Sequence, residues 1–404
     1  MEDKLLTHPG LDFFKSNHRV YYIATGEFIQ QSNGFRVPFY LCHILNELGF
    51  EAYVTAREQA PNLRTPLLTP EINAKHLKDG REIISIYTEA MWGNILRGDI
   101  VVRWILNRIG LLFDSGQFPD EMFFYWNKSY SANDHEAKDL KVPCIDPEIF
   151  FDNPEKQQKR EGFAYYAHKY IRDFGKYIPE DIRNNGISLC HDVPRTHQEI
   201  AEILRNVNVL YCFEDSSIIL EAVACGCTVV FIKSAFTPYV HRKSEFIDYV
   251  VDIEDFDINT VVKNTGSAHA DFIKYSKMNM AGIVDFILST QQVKKPDIKP
   301  RDPFLHFIEK YDLIYIYGIG LTADVVYNTL ISAGFTVSGF IVSDEYYNNN
   351  NQVKLGLPVI PLSNFIKSKP RKSGVLTAML YRHVEQVMPL LLYHGIDVYN
   401  PVLF

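Results

Sequence analysis

A strand–helix–strand pattern in residues 207–232 constrains the fold of this chain more than any other feature. VNVLYC is an apolar run of strand length, Ser216 to Cys225 reads as a short helix, and CTVVFI is a second apolar run. Strands that are apolar throughout and separated by helices are typical of parallel sheets covered on both faces. The same alternation opens the chain and starts again after residue 304. We therefore predict an α/β fold made of Rossmann-like domains.

The 404 residues exceed what one ordinary core organises, which predicts two or three domains. The strand pattern restarts near residue 150. Residues 291–303 are rich in proline and basic residues and lack apolar periodicity, as linkers do. We predict an N-terminal domain over 1–150, a second over 151–290, a linker over 291–303 and a C-terminal domain over 304–404.

Composition predicts a soluble cytoplasmic protein. The net charge of −8 argues against general nucleic-acid binding. The six cysteines form no CxxC pair, which favours reduced core thiols over zinc or disulfides. The N-terminus lacks signal-peptide order, and no apolar run approaches the roughly 20 residues that span a bilayer. Asp255-Phe-Asp257 spells DxD, but its position between a strand and a helix favours an acidic turn, so we predict no metal site.

The helix within 207–232 predicts a phosphate site. Asp215, Ser216 and Ser217 are good N-cap residues, and the free amides of a helix start favour an anion. Glu221 follows Ser217 by four residues and shares its helix face. A nucleoside diphosphate needs both partners, amides for its phosphates and an acceptor for its ribose hydroxyls. The alternative for Glu221 is a solvated helix position.

Two neighbouring loops are predicted to reach the same edge of the sheet. His168 and Lys169 follow the strand in GFAYYAHKY, and Arg195 follows the strand in ISLCH. Ligands of open parallel sheets bind beyond the carboxyl ends of the strands. Lys169 would neutralise the phosphates and stabilise a leaving diphosphate without a metal, and the Arg195 loop would frame a nucleobase. The alternatives are an ordinary surface lysine and a histidine with a purely structural hydrogen bond.

The order of these segments, ending in LEAVACGCTVVFI, resembles the C-terminal half of GT-B glycosyltransferases, close to the retaining group that includes glycogen and sucrose synthases. SNGFRVPFYLCHILNELGFEAYV resembles the first glycine loop and helix of that family. Residues 87–110 resemble a segment of many bacterial surface-polysaccharide glycosyltransferases. The resemblance covers roughly 19–290 and implies two Rossmann-like domains facing across a cleft, the first for the acceptor and the second for a nucleotide-sugar donor.

The resemblance also implies roles for single residues. Gly34 would let the backbone approach the donor phosphates, and the acceptor side would include Glu89, Asn94 and Arg103. The family has two donor-site glutamates, of which Glu221 matches the second. The first position falls on Phe213, one place before Glu214, so sugar contact would pass to Glu214 or Asp215 or be lost. The residues expected to act in catalysis are Glu89, Lys169 and Glu214.

Residues 99–112 are predicted to form a helix that carries arginines. The segment is mostly apolar, and Arg97, Arg103 and Arg108 make it cationic as well. A helix of this kind has two interpretations. One is a helix packed in the core, and the other is peripheral contact with an anionic membrane surface.

The C-terminal domain begins with a dinucleotide-type fingerprint. Gly318, Gly320 and Ala323 form a G-x-G-x-x-A sequence after a strand, and Asp344 follows the next strand. The domain resembles the small Rossmann-like domain that precedes the β-helix in bacterial sugar O-acyltransferases. That resemblance implies binding of a nucleotide or nucleotide sugar, or else docking of another biosynthesis protein.

The prediction for function is a glycosyltransferase of bacterial capsule, O-antigen or lipopolysaccharide biosynthesis, cytoplasmic or peripheral on the inner membrane. It would transfer a sugar from a nucleotide sugar to a glycan or lipid-linked acceptor with retention and without a cofactor. Three alternatives remain. They are an inverting enzyme with Glu89 as base, a non-catalytic partner subunit of the same fold, and an NAD(P)-dependent sugar-modifying enzyme that uses the C-terminal domain.

Overall fold

A computed structural model describes most of the chain. The described residues are Leu11 and 18–89, 91–107, 121–131, 138–152, 160–172, 175, 177–233, 250–255, 268–296, 302–368, 370–379 and 381–401. Over these ranges the strands form three sheets, in which parallel pairing dominates, and helices connect them, so the predicted α/β class is confirmed. The chain divides into two compact units, one of residues 1–28, 37–142 and 282–404 and one of residues 29–36 and 143–281. The predicted domain boundaries and the GT-B arrangement of domains stay predictions.

The first sheet lies in the unit that contains the N-terminus. Its strands are β1 (Val20–Ile23), β2 (Ala52–Val54), β3 (Ile83–Thr88), β4 (Ile100–Ile105), β5 (Met122–Tyr125) and β6 (Lys138–Asp139), and its helices are α1 (Asn33–Glu47) and α2 (Pro70–Lys78). The order β2-β1-β3-β4-β5-β6 is parallel throughout. The strand order reverses between β1 and β3, because the chain continues from β2 to the other side of β1. Open parallel sheets bind ligands at such a point.

The second sheet lies in the other unit. Its strands are β7 (Phe163–Tyr166), β8 (Ile187–Ser188), β9 (Val209–Cys212), β10 (Thr228–Phe231) and β11 (Val250–Asp252); the helices are α3 (His168–Arg172), α4 (Glu180–Asn185), α5 (His197–Asn206) and α6 (Ile218–Ala224). Helix α7 (Ala268–Gln292) begins in this unit, and its residues from 282 onward belong to the unit of the first sheet. The strands lie in the order β11-β10-β9-β7-β8 and are all parallel. The strand order reverses between β7 and β9. Thr196 and Glu199 form the predicted capping box at the start of α5.

The third sheet shares a unit with the first. It contains β12 (Leu313–Tyr317), β13 (Gly339–Val342), β14 (Val353–Lys354), β15 (Leu357–Pro361), β16 (Ser373–Thr377) and β17 (Val398–Tyr399), with helices α8 (Pro303–Glu309), α9 (Leu321–Ser332), α10 (Leu362–Ser368) and α11 (Tyr381–Tyr393). The order is β14-β15-β13-β12-β16-β17, antiparallel only at β14. One core cluster joins side chains of β1 and β3 with side chains of β12 and α9, so these two sheets pack as one body.

The helix predicted over 99–112 is wrong in its described part. Ile100–Ile105 is β4, a central strand between β3 and β5, and residues 108–112 lie outside the described residues. A short apolar run is compatible with a buried helix or a buried strand, and pairing with β3 decides for the strand. The cationic helix on which the membrane-contact interpretation depended is therefore not formed at Arg103. Within the described residues, no helix combines the length and apolarity needed to cross a membrane.

All six cysteines fall within the described ranges; all are buried, and none of them forms a disulfide. Burial raises the pKa of the Cys42, Cys190, Cys225 and Cys227 thiols above the ordinary value. The prediction of core thiols is confirmed by this burial. Protonated and enclosed, these thiols are poor nucleophiles.

Candidate functional site

Polar side chains gather at the carboxyl edge of the second sheet, where the strand order reverses between β7 and β9. His168 and Lys169 follow β7, His191 follows β8, and Glu214 follows β9. The edge of an open parallel sheet at such a reversal is the usual ligand position of this architecture. The segments that the sequence assigned to one site therefore do reach one sheet edge.

A cationic cluster occupies this edge. The rings of His168 and His191 lie 4.1 Å apart between centroids, and Arg172 donates a hydrogen bond to Nε2 of His168 at 3.3 Å. The hydroxyl of Tyr166 lies 3.2 Å from Nε2 of His191, and Lys169 is exposed. His191 is exposed as a whole, but partial desolvation of its ring, reinforced by the charges of His168, Arg172 and Lys169, lowers its pKa to about 4. His191 is therefore neutral near pH 7, and the positive charge at this edge comes from Lys169 and Arg172.

Glu221 is buried rather than solvated, and it pairs with an arginine that sequence analysis did not single out. Nη2 of Arg36 donates to Oε1 of Glu221 at 3.0 Å, with 1% of Arg36 and 5% of Glu221 exposed. Nη1 of Arg36 donates to the Gln30 carbonyl at 3.0 Å and lies 3.1 Å from Nε2 of His197. Burial lowers the pKa of His197, which favours a neutral ring beside the guanidinium. The two residues of the pair are 185 positions apart in the sequence.

The loop that precedes α1 contributes to the same unit. Gly34 lies in the first turn of α1, and a Cβ added there would meet no atom within 4 Å. Open space at Gly34 is compatible with the close ligand approach predicted for it, which stays a prediction. Nε2 of Gln31 donates to the carbonyl of Arg195 at 3.5 Å, so the Arg195 loop lies beside this segment.

The segment after β9 differs in detail from the predicted helix cap. Ser217 occupies the N-cap position of α6, but its side chain makes no capping hydrogen bond, and α6 has only seven residues. Asp215 and Ser216 are half-buried in the same turn. Glu214 is buried, and its Oε2 accepts a hydrogen bond from the Tyr170 backbone at 2.8 Å. Phe213 packs on the Tyr170 ring, with centroids 5.3 Å apart.

Two of the three residues predicted for the acceptor side serve the interior of the first sheet. Arg103 is 1% exposed; it forms two hydrogen bonds with Glu121 and donates to the carbonyls of Met91 and Gly93. The side-chain amide of Asn94 bonds Gly98 through both its nitrogen and its oxygen. Arg103 is enclosed and Asn94 is half-buried, and the acceptor-side role predicted for them stays a prediction.

Glu89 lies at the end of β3, is 6% exposed, and accepts a hydrogen bond from the Leu106 backbone at 2.8 Å. It therefore bridges the carboxyl ends of β3 and β4. Its predicted catalytic role stays a prediction. No group of three or more histidine, cysteine, aspartate or glutamate side chains in the described ranges has the arrangement of a metal site.

The fingerprint of the third sheet adopts the backbone that its glycines predict. Gly318 has φ +120°, and a Cβ there would lie 2.6 Å from the Ala378 carbonyl, so only glycine fits this turn. Gly320 is the N-cap residue of α9. Asp344 is exposed after β13, and its Oδ1 accepts a hydrogen bond from the Ser363 backbone at 3.1 Å.

Comparisons with known proteins give only remote likenesses. No protein-family profile and no curated protein matches the sequence. Similar solved structures include WaaG, "a glycosyltransferase involved in lipopolysaccharide biosynthesis", with TM-score 0.40, 11% identity, and coverage of 68% of this chain and 96% of that one. CalG4, "the Calicheamicin Glycosyltransferase", follows with TM-score 0.35, 11% identity, and coverage of 69% and 100%.

A protein described as a UDP-N-acetylglucosamine 2-epimerase from Listeria monocytogenes matches with TM-score 0.34, 11% identity, and coverage of 70% of this chain and 99% of that one. At these identities and TM-scores the likenesses do not assign an activity. The functional conclusion therefore depends on the geometry of the site.

Proposed function

We propose that this chain is a glycosyltransferase of GT-B type whose nucleotide-sugar donor binds at the carboxyl edge of the second sheet. The observation that carries the proposal is the position of the cationic cluster and Glu221 at one topological reversal. A nucleoside diphosphate presents both a polyanion and a vicinal diol. The cations match the polyanion, and a carboxylate is a suitable acceptor for the diol.

The roles within the site follow from exposure. Lys169 is exposed and Arg172 lies beside His168, so these groups can reach the diphosphate and stabilise it as a leaving group. Glu221 accepts the ribose hydroxyls. Glu214 bonds the backbone at the start of α3, so we assign it to holding the basic segment rather than to contact with the sugar.

The finer parts of the proposal depend on the resemblance in residues 87–110. They are a glycan or lipid-linked acceptor, a place in bacterial surface-polysaccharide biosynthesis, and retention of configuration without a metal. Inversion is the alternative mechanism. It would use Glu89 as the general base, whose buried carboxylate lies at the carboxyl end of the first sheet.

Calorimetric titration with UDP, GDP, ADP and CDP tests the donor site. We expect one nucleotide to bind and Lys169→Ala to weaken its binding about tenfold, the value of one hydrogen bond to a charged group. Lys372→Ala is the matched control, because Lys372 is also exposed but precedes β16 in the third sheet. The proposal is wrong if no nucleotide binds, or if both lysine variants bind equally well.

The same titrations separate the alternatives. Binding without transfer from any nucleotide sugar to a glycan or lipid-linked acceptor would indicate a partner subunit. A response to NAD(P) alone, lost in Gly318→Val, would indicate the sugar-modifying enzyme, because a side chain at Gly318 would strike the Ala378 carbonyl.

A further inference from the structure

The buried pair of Arg36 and Glu221 carries an inference about how the donor site is organised. Arg36 contacts Oε1 of Glu221, whereas Oε2 has no hydrogen-bond partner among the described residues. A carboxylate held through one oxygen keeps a fixed orientation and still has lone pairs to offer. We infer that Arg36 is the positioning residue that aims Oε2 of Glu221 at the ribose hydroxyls of the donor. This inference rests on the proposed function.

Arg36 acts through Glu221 because it cannot reach a ligand itself. Only 1% of its surface is exposed, so the guanidinium is enclosed by protein rather than open to phosphate. Its other contacts among the described residues include the carbonyl of Gln30, Oδ1 of Asn33 at 3.5 Å, and Nε2 of His197. These groups fix the guanidinium from the loop before α1 and from the start of α5.

The chemistry of the site requires arginine at this position. The planar guanidinium spreads its donors over a rigid fork, which lets one side chain bond the Gln30 carbonyl and the Glu221 carboxylate together. A lysine ammonium has its three donors on one nitrogen, so it cannot reach the two partners from the separate positions that Nη1 and Nη2 occupy. His197 packs edge-on against Phe150, with centroids 5.2 Å apart, and so supports the other side of the guanidinium.

The connection also explains why residues 29–36 belong to the same compact unit as the second sheet. Arg36 ties the segment that contains Gly34 to the helix that contains Glu221. A donor whose ribose binds Glu221 would therefore meet a glycine segment already fixed in place.

The experiment compares ribose with dideoxyribose. The nucleoside diphosphate that binds best in calorimetry is titrated beside its 2′,3′-dideoxy counterpart, and the ratio of the two Kd values is the readout. We expect the wild-type protein to prefer the ribonucleotide about tenfold, the value of a hydrogen bond to a charged group. Glu221→Gln provides the reference for a carboxylate that has been removed.

Arg36→Gln should reduce the ratio to about one, as Glu221→Gln does, while the Kd for the dideoxynucleotide stays unchanged. Arg36→Lys should give a ratio between that of the wild type and one. If Arg36→Gln does not fold, a lowered ratio in Arg36→Lys with an unchanged dideoxynucleotide Kd tests the inference in its place. Arg205→Gln is the matched control, since Arg205 is half-buried in the same unit and bonds the Ile149 carbonyl. The control should keep the wild-type ratio.

Four outcomes would overturn the inference, and the last of them would also overturn the proposed function. The Arg36 variants could keep the wild-type ratio, or they could weaken both nucleotides equally, as a purely structural role predicts. The wild-type protein could also bind both nucleotides equally, which leaves the proposed donor site in place but removes the role of Glu221. A wild-type protein that binds no nucleotide overturns the proposed function and the inference together.

Discussion

Two buried arginines, one in each unit, pair differently with their glutamates. Arg103 gives Glu121 two hydrogen bonds, at 2.8 and 2.7 Å, and donates two more to the backbone carbonyls of Met91 and Gly93. Its guanidinium also lies over the rings of Tyr87 and Trp92. Arg36 gives Glu221 one hydrogen bond, and only one oxygen of that carboxylate is engaged within the described residues.

The difference separates a pair that stabilises the fold from one that can serve a ligand. A carboxylate bonded through both oxygens inside a closed network has little left to offer another molecule. A carboxylate bonded through one oxygen keeps an oriented acceptor. Burial alone does not distinguish these cases, since both arginines are 1% exposed.

The largest expected effect comes from the Arg103 pair. Arg103→Met should lower the free energy of unfolding by about 3–5 kcal/mol, because it leaves the Glu121 charge and two carbonyls without their donor. Urea unfolding followed by tryptophan fluorescence measures it, since Trp92, Trp104 and Trp126 all lie in the unit of Arg103. The double variant with Glu121→Met should recover part of the loss. A single variant as stable as the wild type would contradict the stabilising role.

The next effect concerns ligand affinity. Glu221→Gln should weaken nucleoside diphosphate binding about tenfold, because the ribose hydroxyls lose a charged acceptor. Calorimetry measures the loss. Glu121→Gln is the control for the other pair and should leave the affinity unchanged. Equal affinities of the wild type and Glu221→Gln would contradict the claim that Glu221, unlike Glu121, binds the ligand.

A smaller effect tests the helix that carries His197. Thr196→Ala should cost about 1 kcal/mol of stability, because it removes the N-cap hydrogen bond to the Glu199 backbone. Thermal unfolding followed by circular dichroism checks the loss, and Thr196→Ser should retain most of the stability. We expect nucleotide affinity to stay within about twofold, because the Arg36 contacts themselves remain. A large loss of affinity would show that the pair depends on this cap.

The smallest effect is on pH dependence. The pKa of His191 is lowered to about 4 from the ordinary 6.5. Between these two pH values His191 is therefore protonated in the unfolded chain and neutral in the folded chain. Stability therefore falls as the pH falls through this window. His191→Gln should reduce that fall in urea unfolding compared at pH 7.5 and 5. A bound diphosphate should raise the pKa, so affinity should increase towards pH 5; an affinity that decreases would contradict a phosphate contact.

The local parts of the second sheet were predictable from sequence because they depend on neighbouring residues. The strands β7, β9 and β10 are continuous apolar runs, and the capping box at Thr196 requires only the residue three positions later. The shared edge follows from parallel topology alone. Strand β4 was mistaken for a helix because its apolar run fits either structure until its pairing with β3 is known.

The partners of the charged residues were not predictable, because they depend on contacts distant in sequence. Glu221 was singled out, but its partner comes from a segment 185 residues earlier. Glu214 was expected near the sugar, whereas its bond to the Tyr170 backbone depends on α3, which was interpreted as a loop. The one available signal was the arginine within the glycine segment SNGFR.

The six buried cysteines make the protein its own reporter of local opening. Cys42 lies in the unit of the first sheet, and Cys144, Cys190, Cys212, Cys225 and Cys227 lie in the other. An enclosed, protonated thiol reacts with a disulfide reagent only after the surrounding structure opens. The time course of thiol modification should therefore have two phases, one for Cys42 and one for the five cysteines of the other unit. A bound nucleotide that slows only the group of five would locate its stabilising effect without any introduced label.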